Sequence, residues 1–394
     1  MSSPLLDAAA ALCQTFARET LLPQAPALEL QGGAPVIGGA PPIVTLLRDL
    51  AARLGLAELA AEAAIDPAAN DGLLADHALG AALIGPLTRV NPGFALSFGA
   101  SLGLCGQSLL RKGTAEQRQR WAQPVLAFER IGCWALTEPG AGSDAFSLRT
   151  SALRVAGGFE LTGEKSFITN APIAQTFVVF ARVADPGGPL DGQIRHFVLA
   201  REDGLTTSPP LSKMGMRSSP TGSIFLDAVR VPEDRLLGDP QESGKRAALE
   251  TLLGERAALA AMAAAIIEES LTLALAYTKE RQQFGQPLVQ FQAVQLRLAK
   301  LFAAQETARA LIDRAAKLSA SGDLTLAYLC AAKYTASGLA TEAALDAVQL
   351  LGGNGYCTAY RVEGLARDAK LLEIGGGTSD IQLLAVAREL LRDA

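Results

Sequence analysis

Histidine, paired cysteines and clustered positive charge are scarce or missing in this sequence of 394 residues. Only two histidines are present, His77 and His196, so a histidine-rich metal centre cannot be built and no metal site is expected. A Ser-His or Cys-His catalyst would likewise have to use one of these two residues. The five cysteines are scattered and form no CxxC pair, which argues against a zinc knuckle or a disulfide framework and favours a reducing compartment.

Basic runs and recognisable targeting features are also lacking. The net charge is −5 without any cluster of lysine and arginine, so the electrostatic pattern of a nucleic-acid-binding protein is missing. The N-terminal stretch carries Asp7 where a signal peptide is apolar. The uncharged stretch 91–110 has about the length of a membrane span, but its proline and four glycines favour a buried helix. We therefore expect a cytoplasmic protein that binds neither nucleic acid nor membrane.

The sequence is rich instead in apolar residues, arranged in three successive patterns. Hydrophobic residues make up 49% of the chain and charged residues 19%, which excludes a disordered chain. Residues 1–128 alternate short Ala/Leu-rich runs with glycine and proline, and Thr114 with Gln117 has the spacing of a helix capping box. Residues 129–238 contain short β-branched or aromatic segments bounded by turns. Residues 239–394 return to long amphipathic helices.

These patterns predict an α+β fold of three domains that are helical, β and helical in that order. In the middle domain, Gly157 and Gly158 between two alternating arms predict a hairpin turn. In the last domain the periodicity predicts four helices, with the glycine-rich passage 352–377 as a linker. The predicted helices are 247–282, 289–320, 323–351 and 379–392.

The motif Thr-Glu-Pro-Gly-Ala-Gly-Ser-Asp, residues 137–144, directly follows an apolar strand. Small residues after a strand allow backbone N–H groups to approach a ligand closely, and Thr137 and Ser143 add hydroxyl groups. The same stretch matches the spacing of a dinucleotide-binding GxGxxA motif, but strands follow it rather than the helix that such a motif requires. Taken alone, the motif is also compatible with an ordinary turn between strands.

Four further segments combine glycine with side chains suited to a nucleotide-like ligand. In Gly-Glu-Lys-Ser-Phe-Ile-Thr-Asn, residues 163–170, an aromatic ring beside a threonine can stack on a planar ligand, although a core phenylalanine is the alternative. The segment at 277–285 ends a long predicted helix with a charged cluster and a glycine, an arrangement that is also ordinary at a helix C-terminus. The segments at 349–356 and 373–380 place glycine clusters next to helices, where a helix N-terminus can hold an anion such as pyrophosphate.

Together and in this order, these segments resemble the acyl-CoA dehydrogenase flavoprotein family. The resemblance extends from Gln107 to the C-terminus, including KMGMRSSPTGSIFLDAVRVP and TKERQQFGQPLVQFQ, and is loose before Gln107. It implies an N-terminal α-helical domain, a middle antiparallel β-barrel or sheet domain and a C-terminal four-helix bundle. It also implies FAD as the cofactor, an acyl-CoA substrate, an electron-transfer flavoprotein as electron acceptor, and a homo-oligomer that is expected to be a tetramer.

The family's FAD-binding positions fall on these motifs. Phe167 matches the aromatic residue that stacks on the flavin, and Thr169 matches the threonine beside flavin N5. The other residues matched to the flavin portion are Trp134, Leu136, Thr137 and Ser143, with Thr378 and Asp380 at a helix start. The positions that hold the adenosine diphosphate portion across a subunit interface are Arg281, Phe284, Gln292, Gln349 and Gly353. Arginine suits pyrophosphate because its planar fork makes paired, charge-assisted hydrogen bonds.

The reaction of the family needs a base for the substrate's α-proton and donors for the thioester oxygen, which gains negative charge. Most members carry the catalytic glutamate immediately before a Gly-Thr pair, where this sequence has Gly376. A minority, including isovaleryl-CoA and long-chain acyl-CoA dehydrogenases, take it from the first turn of the bundle's opening helix. Glu255 stands at that place and is the predicted base; a carboxylate that complements the helix dipole is the alternative. An apolar pocket would raise its pKa toward the working range of a base.

The substrate contacts implied by the resemblance surround this base. Gly376 supplies the backbone N–H for the thioester oxygen, and the other matched substrate positions are Ser143, Arg256 and Gly375. The position of the base favours a short or branched acyl chain. Leu253 replaces an aspartate found in many relatives, and the loop 184–194 follows no family pattern. A carrier-protein thioester, a flavin oxidase or N-hydroxylase reaction, and a non-catalytic flavoprotein therefore remain open.

Overall fold

The computed structural model of the protein describes residues 4–31, 41–67, 77–239 and 244–392. Its N-terminal part is helical, with a π-helical segment inserted at Ala17–Leu21, Ala100–Gly106 and Arg118–Ala122. The α-helices there are α1 (Pro4–Phe16), α2 (Leu22–Gln31), α3 (Pro42–Arg53), α4 (Leu56–Ile65), α5 (His77–Val90), α6 (Pro92–Gly99), α7 (Gln107–Lys112), α8 (Ala115–Gln117) and α9 (Gln123–Leu126).

The capping box and the buried helix expected in this part are both present. The Thr114 hydroxyl accepts the Gln117 N–H at 3.2 Å, and the Gln117 side chain accepts the Thr114 N–H at 3.0 Å. Helices α6 and α7 and the π segment between them form one continuous helix, Pro92–Lys112, whose most apolar window is 67% buried. This helix and Gly244–Glu280 are long and apolar enough to cross a membrane, but both pack into the interior of the fold.

A seven-stranded sheet forms the middle part. Its strands are β1 (Gly132–Ala135), β2 (Ser151–Val155), β3 (Gly158–Thr169), β4 (Thr176–Ala184), β5 (Ile194–Ala200), β6 (Thr206–Thr207) and β7 (Thr221–Pro232). Four strand pairs are antiparallel, and β2 and β3 are joined by the predicted hairpin turn, where Gly157 has a φ of +81°. The sheet is mixed rather than purely antiparallel, because β4 lies between β1 and β2 and runs parallel to both.

In the described residues, the C-terminal part contains the four predicted helices and two more. The predicted ones are α10 (Gly244–Glu280), α11 (Gln292–Ser321), α12 (Leu326–Leu351) and α15 (Ser379–Leu390), with a small hairpin of β8 (Gln282–Gln283) and β9 (Gln286–Pro287) between α10 and α11. The short α13 (Gly353–Tyr356) and the 13-residue α14 (Val362–Ile374) fill the passage predicted as a linker, so that prediction was wrong. Helix α14 buries Val362, Leu365, Ala369 and Leu372 at helical spacing, a pattern that the flanking glycine clusters obscured.

Two hydrophobic cores hold these parts together. One joins the helices of both ends and reaches the outer face of the sheet through Val178, Phe180 and Val198. The other lies on the opposite face and contains Phe159, Phe177 and Phe197 among others. Because α12 packs against α10, α11, α14 and α15, it is the central helix of the bundle.

Candidate active site

The two β-domain motifs lie side by side in the structure. The Ser166 N–H, in the second motif, donates to the Thr137 carbonyl in the first at 3.0 Å. The Lys165 ammonium donates to the Leu136 carbonyl at 3.1 Å. The turn 137–144 and the end of β3 are therefore fixed relative to each other, and their side chains form one surface.

A buried ion pair fastens these motifs. Lys165 Nζ lies 2.8 Å from Glu138 Oε1, with Lys165 fully buried and Glu138 nearly so. The same carboxylate accepts hydrogen bonds from the backbone N–H groups of Arg149 and Thr150, at 2.6 and 2.9 Å, and from the Thr150 hydroxyl. Burial alone would raise the pKa of Glu138, but these hydrogen bonds and Lys165 outweigh it and hold the pKa below its usual value. Burial lowers the pKa of Lys165 to about 8.

Phe167 is exposed, not a core residue. Its side chain is 71% exposed although its backbone has a φ of +58°, which is uncommon for an aromatic residue. Thr169, two residues further along β3, is partly buried. An exposed ring held by an unusual backbone conformation at the end of a strand is suited to stack on a planar ligand.

The remaining β-domain residues matched to the flavin lie on β1 or in the turn that follows it. Leu136 is buried, Thr137 and Trp134 are partly buried, and Ser143 is exposed. The Trp134 ring packs edge-on against Phe180, with ring centroids 4.8 Å apart, and its indole nitrogen is buried without a hydrogen-bond partner among the described residues. An unpartnered donor on the strand that leads into a small-residue turn fits a polar ligand at the end of that strand.

The bundle contributes a second group of predicted residues, Glu255 and Gly376. Gly376 has a φ of +62°, and a Cβ at this position would lie 3.3 Å from both Cδ and Oε2 of Glu255. The carboxyl group of Glu255 thus occupies the space that a side chain at position 376 would enter. Burial raises the pKa of Glu255 above its usual value, and the nearby charges of Arg256 and Lys333 partly oppose that shift.

Glu255 does not lie in the first turn of its helix, contrary to the sequence-based expectation. Helix α10 already begins at Gly244, so Glu255 is three turns inside it. The charge of a helix end acts only on groups within the first or last turn. The alternative interpretation of Glu255 as a carboxylate that complements the helix dipole is therefore excluded.

The Gly375–Gly377 loop beside Glu255 is held by two side chains that sequence reasoning missed. Gln382 Nε2 donates to the carbonyls of Gly376 and Gly377, at 3.0 and 2.9 Å. Lys333 Nζ donates to the Gly377 carbonyl, and both Lys333 and Gln382 are fully buried. A lysine on an otherwise apolar helix face, as in the segment AAKYTAS, was the available signal.

Arg256, one of the predicted substrate residues, belongs to the same group. Its Nε donates to Gln382 Oε1 at 3.0 Å, and its Nη1 is buried without a partner among the described residues. Thr378 caps α15 by accepting the Ile381 N–H at 3.4 Å, and Asp380 is exposed in the first turn of that helix. No hydrogen bond within the described part of the chain uses the Gly376 N–H as donor, so this group is free to bind a ligand.

The residues matched to the adenosine diphosphate portion lie far from Glu255. Arg281 directly follows α10, 26 residues beyond Glu255, or about 39 Å away at 1.5 Å per residue. Phe284 is 94% exposed, and a 2.8 Å hydrogen bond from Asn354 to the Tyr277 hydroxyl brings the segment after α12 close to this end of α10. Five matched residues lie in the segments that meet at this end of α10, and all five are exposed: Arg281, Phe284, Gln292, Gln349 and Gly353. One chain does not bring them to Glu255.

His196 takes no part in either group. His196 is buried in β5, and burial together with Arg195 and Lys112 lowers its pKa to about 3, so it stays neutral. The side chain of His77 lies outside the described residues.

Comparison with known proteins places every part of this chain in one family. Sequence models of the acyl-CoA dehydrogenase N-terminal, middle and C-terminal domains match residues 6–129, 133–229 and 242–391. A probable acyl-CoA dehydrogenase of Bacillus subtilis, YngJ, is 42% identical over 300 residues, which is 75% of this chain and 78% of the relative. The mitochondrial isovaleryl-CoA dehydrogenase of Solanum tuberosum is 36% identical over 78% of this chain and 74% of its own length.

A solved structure shows the same architecture. Butyryl-CoA dehydrogenase from Megasphaera elsdenii superposes with a TM-score of 0.89 at 31% identity, covering 100% of this chain and 99% of that one. The helical, β and helical order predicted from the sequence is thereby confirmed. The chain belongs to the acyl-CoA dehydrogenase family of FAD-dependent oxidoreductases.

Proposed function

We propose that this acyl-CoA dehydrogenase converts a short or branched acyl-CoA into its 2-enoyl thioester, with Glu255 as the base that removes the α-proton. The observation that carries the proposal is the position of the Glu255 carboxyl group, 3.3 Å from where a Cβ of residue 376 would lie. A carboxylate carried by α10 thus reaches the position that a carboxylate carried by residue 376, in the loop between α14 and α15, would also reach.

The residues around the β-domain surface fit FAD. Phe167 offers an exposed ring, the Trp134 indole N–H lacks a partner among the described residues, and Thr137, Ser143 and Thr169 supply hydroxyl groups at the same surface. Bound FAD would accept two electrons and the β-hydrogen of the substrate. The task left to the chain's own residues is to orient the thioester and to take its α-proton.

Glu255 and Gly376 would divide this work. Proton removal leaves negative charge on the thioester oxygen, and a preorganised N–H aimed at that oxygen stabilises it. The Gly376 N–H is adjacent to Glu255 and donates no hydrogen bond within the described residues. The raised pKa of Glu255 brings it closer to the range in which a carboxylate accepts a proton efficiently near neutral pH.

We further propose that the enzyme is a homo-oligomer, a tetramer by analogy with its family, that works in the cytoplasm and passes electrons to an electron-transfer flavoprotein. About 39 Å along α10 separates Glu255 from Arg281, more than one FAD molecule can bridge. The exposed Phe284 and Arg281 would therefore hold the cofactor of a neighbouring subunit. The preference for a branched chain is supported by the isovaleryl-CoA dehydrogenase among the relatives.

Anaerobic titration of the purified yellow protein with a panel of acyl-CoAs tests this function. Butyryl-CoA, isovaleryl-CoA and 2-methyl-branched thioesters should bleach the flavin absorbance, and palmitoyl-CoA should do so poorly. Bleaching only by a carrier-protein thioester would contradict the CoA assignment. Oxygen uptake with an amine or a nitroalkane, without bleaching by any thioester, would instead identify an oxidase.

A further inference from the structure

Lys333 is a fully buried lysine in the middle of the bundle. It lies on α12, the central helix, and its ammonium group donates to the Gly377 carbonyl in the loop between α14 and α15. A buried ammonium group is costly unless it is paired or hydrogen-bonded, and an apolar residue would fill this place more cheaply. Its presence calls for a role beyond packing.

The loop that Lys333 contacts is restrained from two sides. Gln382 on α15 donates to the carbonyls of Gly376 and Gly377, and its own carbonyl accepts from Arg256 on α10. Both glycines have positive φ angles, +62° and +94°. The Gly376 N–H belongs to the peptide unit between Gly375 and Gly376. That unit is restrained from one side by the held carbonyls of Gly376 and Gly377, and from the other by the Gly375 N–H, which donates to the Leu371 carbonyl at 2.7 Å.

Lys333 also lies near Glu255, because its ammonium group binds the Gly377 carbonyl and the adjacent Gly376 lies against the Glu255 carboxyl group. The charged or titratable groups that influence Lys333 are Glu255 and Arg256 from α10, Cys330 from its own helix and Glu373 from α14. Burial lowers the pKa of Lys333 to about 8, and Glu255 is the group that most strongly opposes this shift. Glu255 in turn is influenced by Arg256 and Lys333. Near neutral pH, Lys333 thus favours the ionised form of Glu255.

We propose that Lys333 is a positioning residue for the dehydrogenation, which holds the Gly376–Gly377 loop in place and keeps Glu255 ionised and ready to accept a proton. Gln382 shares the first task but not the second, because it is neutral. The proposal rests on the proposed function, in which Glu255 is the base.

The pH dependence of anaerobic flavin reduction separates the two tasks. In Lys333→Met the acid limb of the rate profile should move to higher pH by roughly one unit, since Glu255 loses a neighbouring positive charge. In Gln382→Met the rate should fall while the acid limb stays in place. Lys370→Met, which removes the charge of a half-exposed lysine paired with Glu373 on α14, serves as the control and should leave the limb unmoved. An unmoved limb in Lys333→Met overturns the proposal.

A second measurement does not depend on turnover or on Lys333→Met being stable. Hydrogen–deuterium exchange of the FAD-loaded protein reports the amides next to the loop, where Gly375 N–H donates to Leu371 at 2.7 Å and Gln382 N–H to Thr378 at 3.0 Å. Lys333→Gln and Gln382→Met should both speed exchange at these amides, and Lys370→Met should not. Unchanged exchange in both variants overturns the proposal. Failure of every acyl-CoA to bleach the wild-type flavin would refute the proposed function instead. In that case the exchange measurement would still show whether Lys333 holds the Gly376–Gly377 loop.

Discussion

At the scale of single residues, the proposed active site depends on two positions that are far apart in sequence and adjacent in space. Glu255 lies on α10 and Gly376 in the loop before α15, yet a Cβ at 376 would lie 3.3 Å from the Glu255 carboxyl group. The glycine is required in two ways. Its φ is +62°, and a Cβ would also approach Leu259 Cδ1 to 2.7 Å. A side chain at 376 and a carboxylate at 255 therefore exclude each other unless one of them moves.

The variant Gly376→Ala should test this exclusion. We expect a loss of about 1–2 kcal/mol in the free energy of unfolding from the left-handed backbone conformation. We also expect flavin reduction to slow by roughly tenfold to a hundredfold, because the new methyl group displaces Glu255. Stopped-flow reduction and denaturant unfolding measure the two effects.

Gly338→Ala is the control. Gly338 lies inside α12, where an added Cβ would meet no atom within 4 Å, so this variant should reduce its flavin at the wild-type rate and be no less stable. Equal effects of the two substitutions would contradict the account of Gly376.

At the scale of elements, the β-domain surface is assembled by one buried ion pair. Lys165 on β3 and Glu138 in the turn after β1 bring together segments that also contain Phe167 and Thr137, two of the residues proposed to contact FAD. Breaking a buried pair from one side leaves the other charge without compensation, which costs far more than a surface salt bridge contributes. This pair should therefore determine both the stability of the β domain and its affinity for FAD.

Lys165→Met should lower the free energy of unfolding by about 3–5 kcal/mol, because Glu138 remains buried without its cation. The protein should also lose FAD more readily during gel filtration. Denaturant unfolding and the ratio of flavin to protein absorbance measure the two effects. The double variant Lys165→Met/Glu138→Gln should recover part of the stability, and a double variant less stable by the full sum of both single changes would contradict the pairing.

At the scale of the whole molecule, the sequence predicted the order of the three parts and most of the bundle. The long amphipathic helices and the Gly157 hairpin turn follow from local periodicity and turn chemistry, which a single chain displays directly. Helix α14 was missed because glycine clusters flank it, and the start of α10 was placed too late. The parallel pairing of β4 with β1 and β2 joins strands that are distant in sequence, and the periodicity of each strand does not determine which strands pair.

The site was predictable only in part for the same reason. Motifs confined to one segment, such as the end of β3 with Phe167, could be recognised along the chain. Lys333 lies 44 residues from the Gly377 carbonyl that it binds, and Gln382 lies 6 residues from the Gly376 carbonyl. Neither residue belongs to a recognisable motif. Their importance appears only once α12 and α15 are packed against the same loop.

The identity of the base is the central claim, and Glu255→Gln tests it most directly. The variant keeps the shape of the side chain but cannot take up the α-proton, so it should bind FAD normally while its anaerobic reduction by the best acyl-CoA falls roughly 10²–10⁴-fold. Glu306→Gln, the same change at an exposed position on α11, should leave that rate unchanged. Flavin bleaching by the acyl-CoA at a near-normal rate in Glu255→Gln would contradict the account.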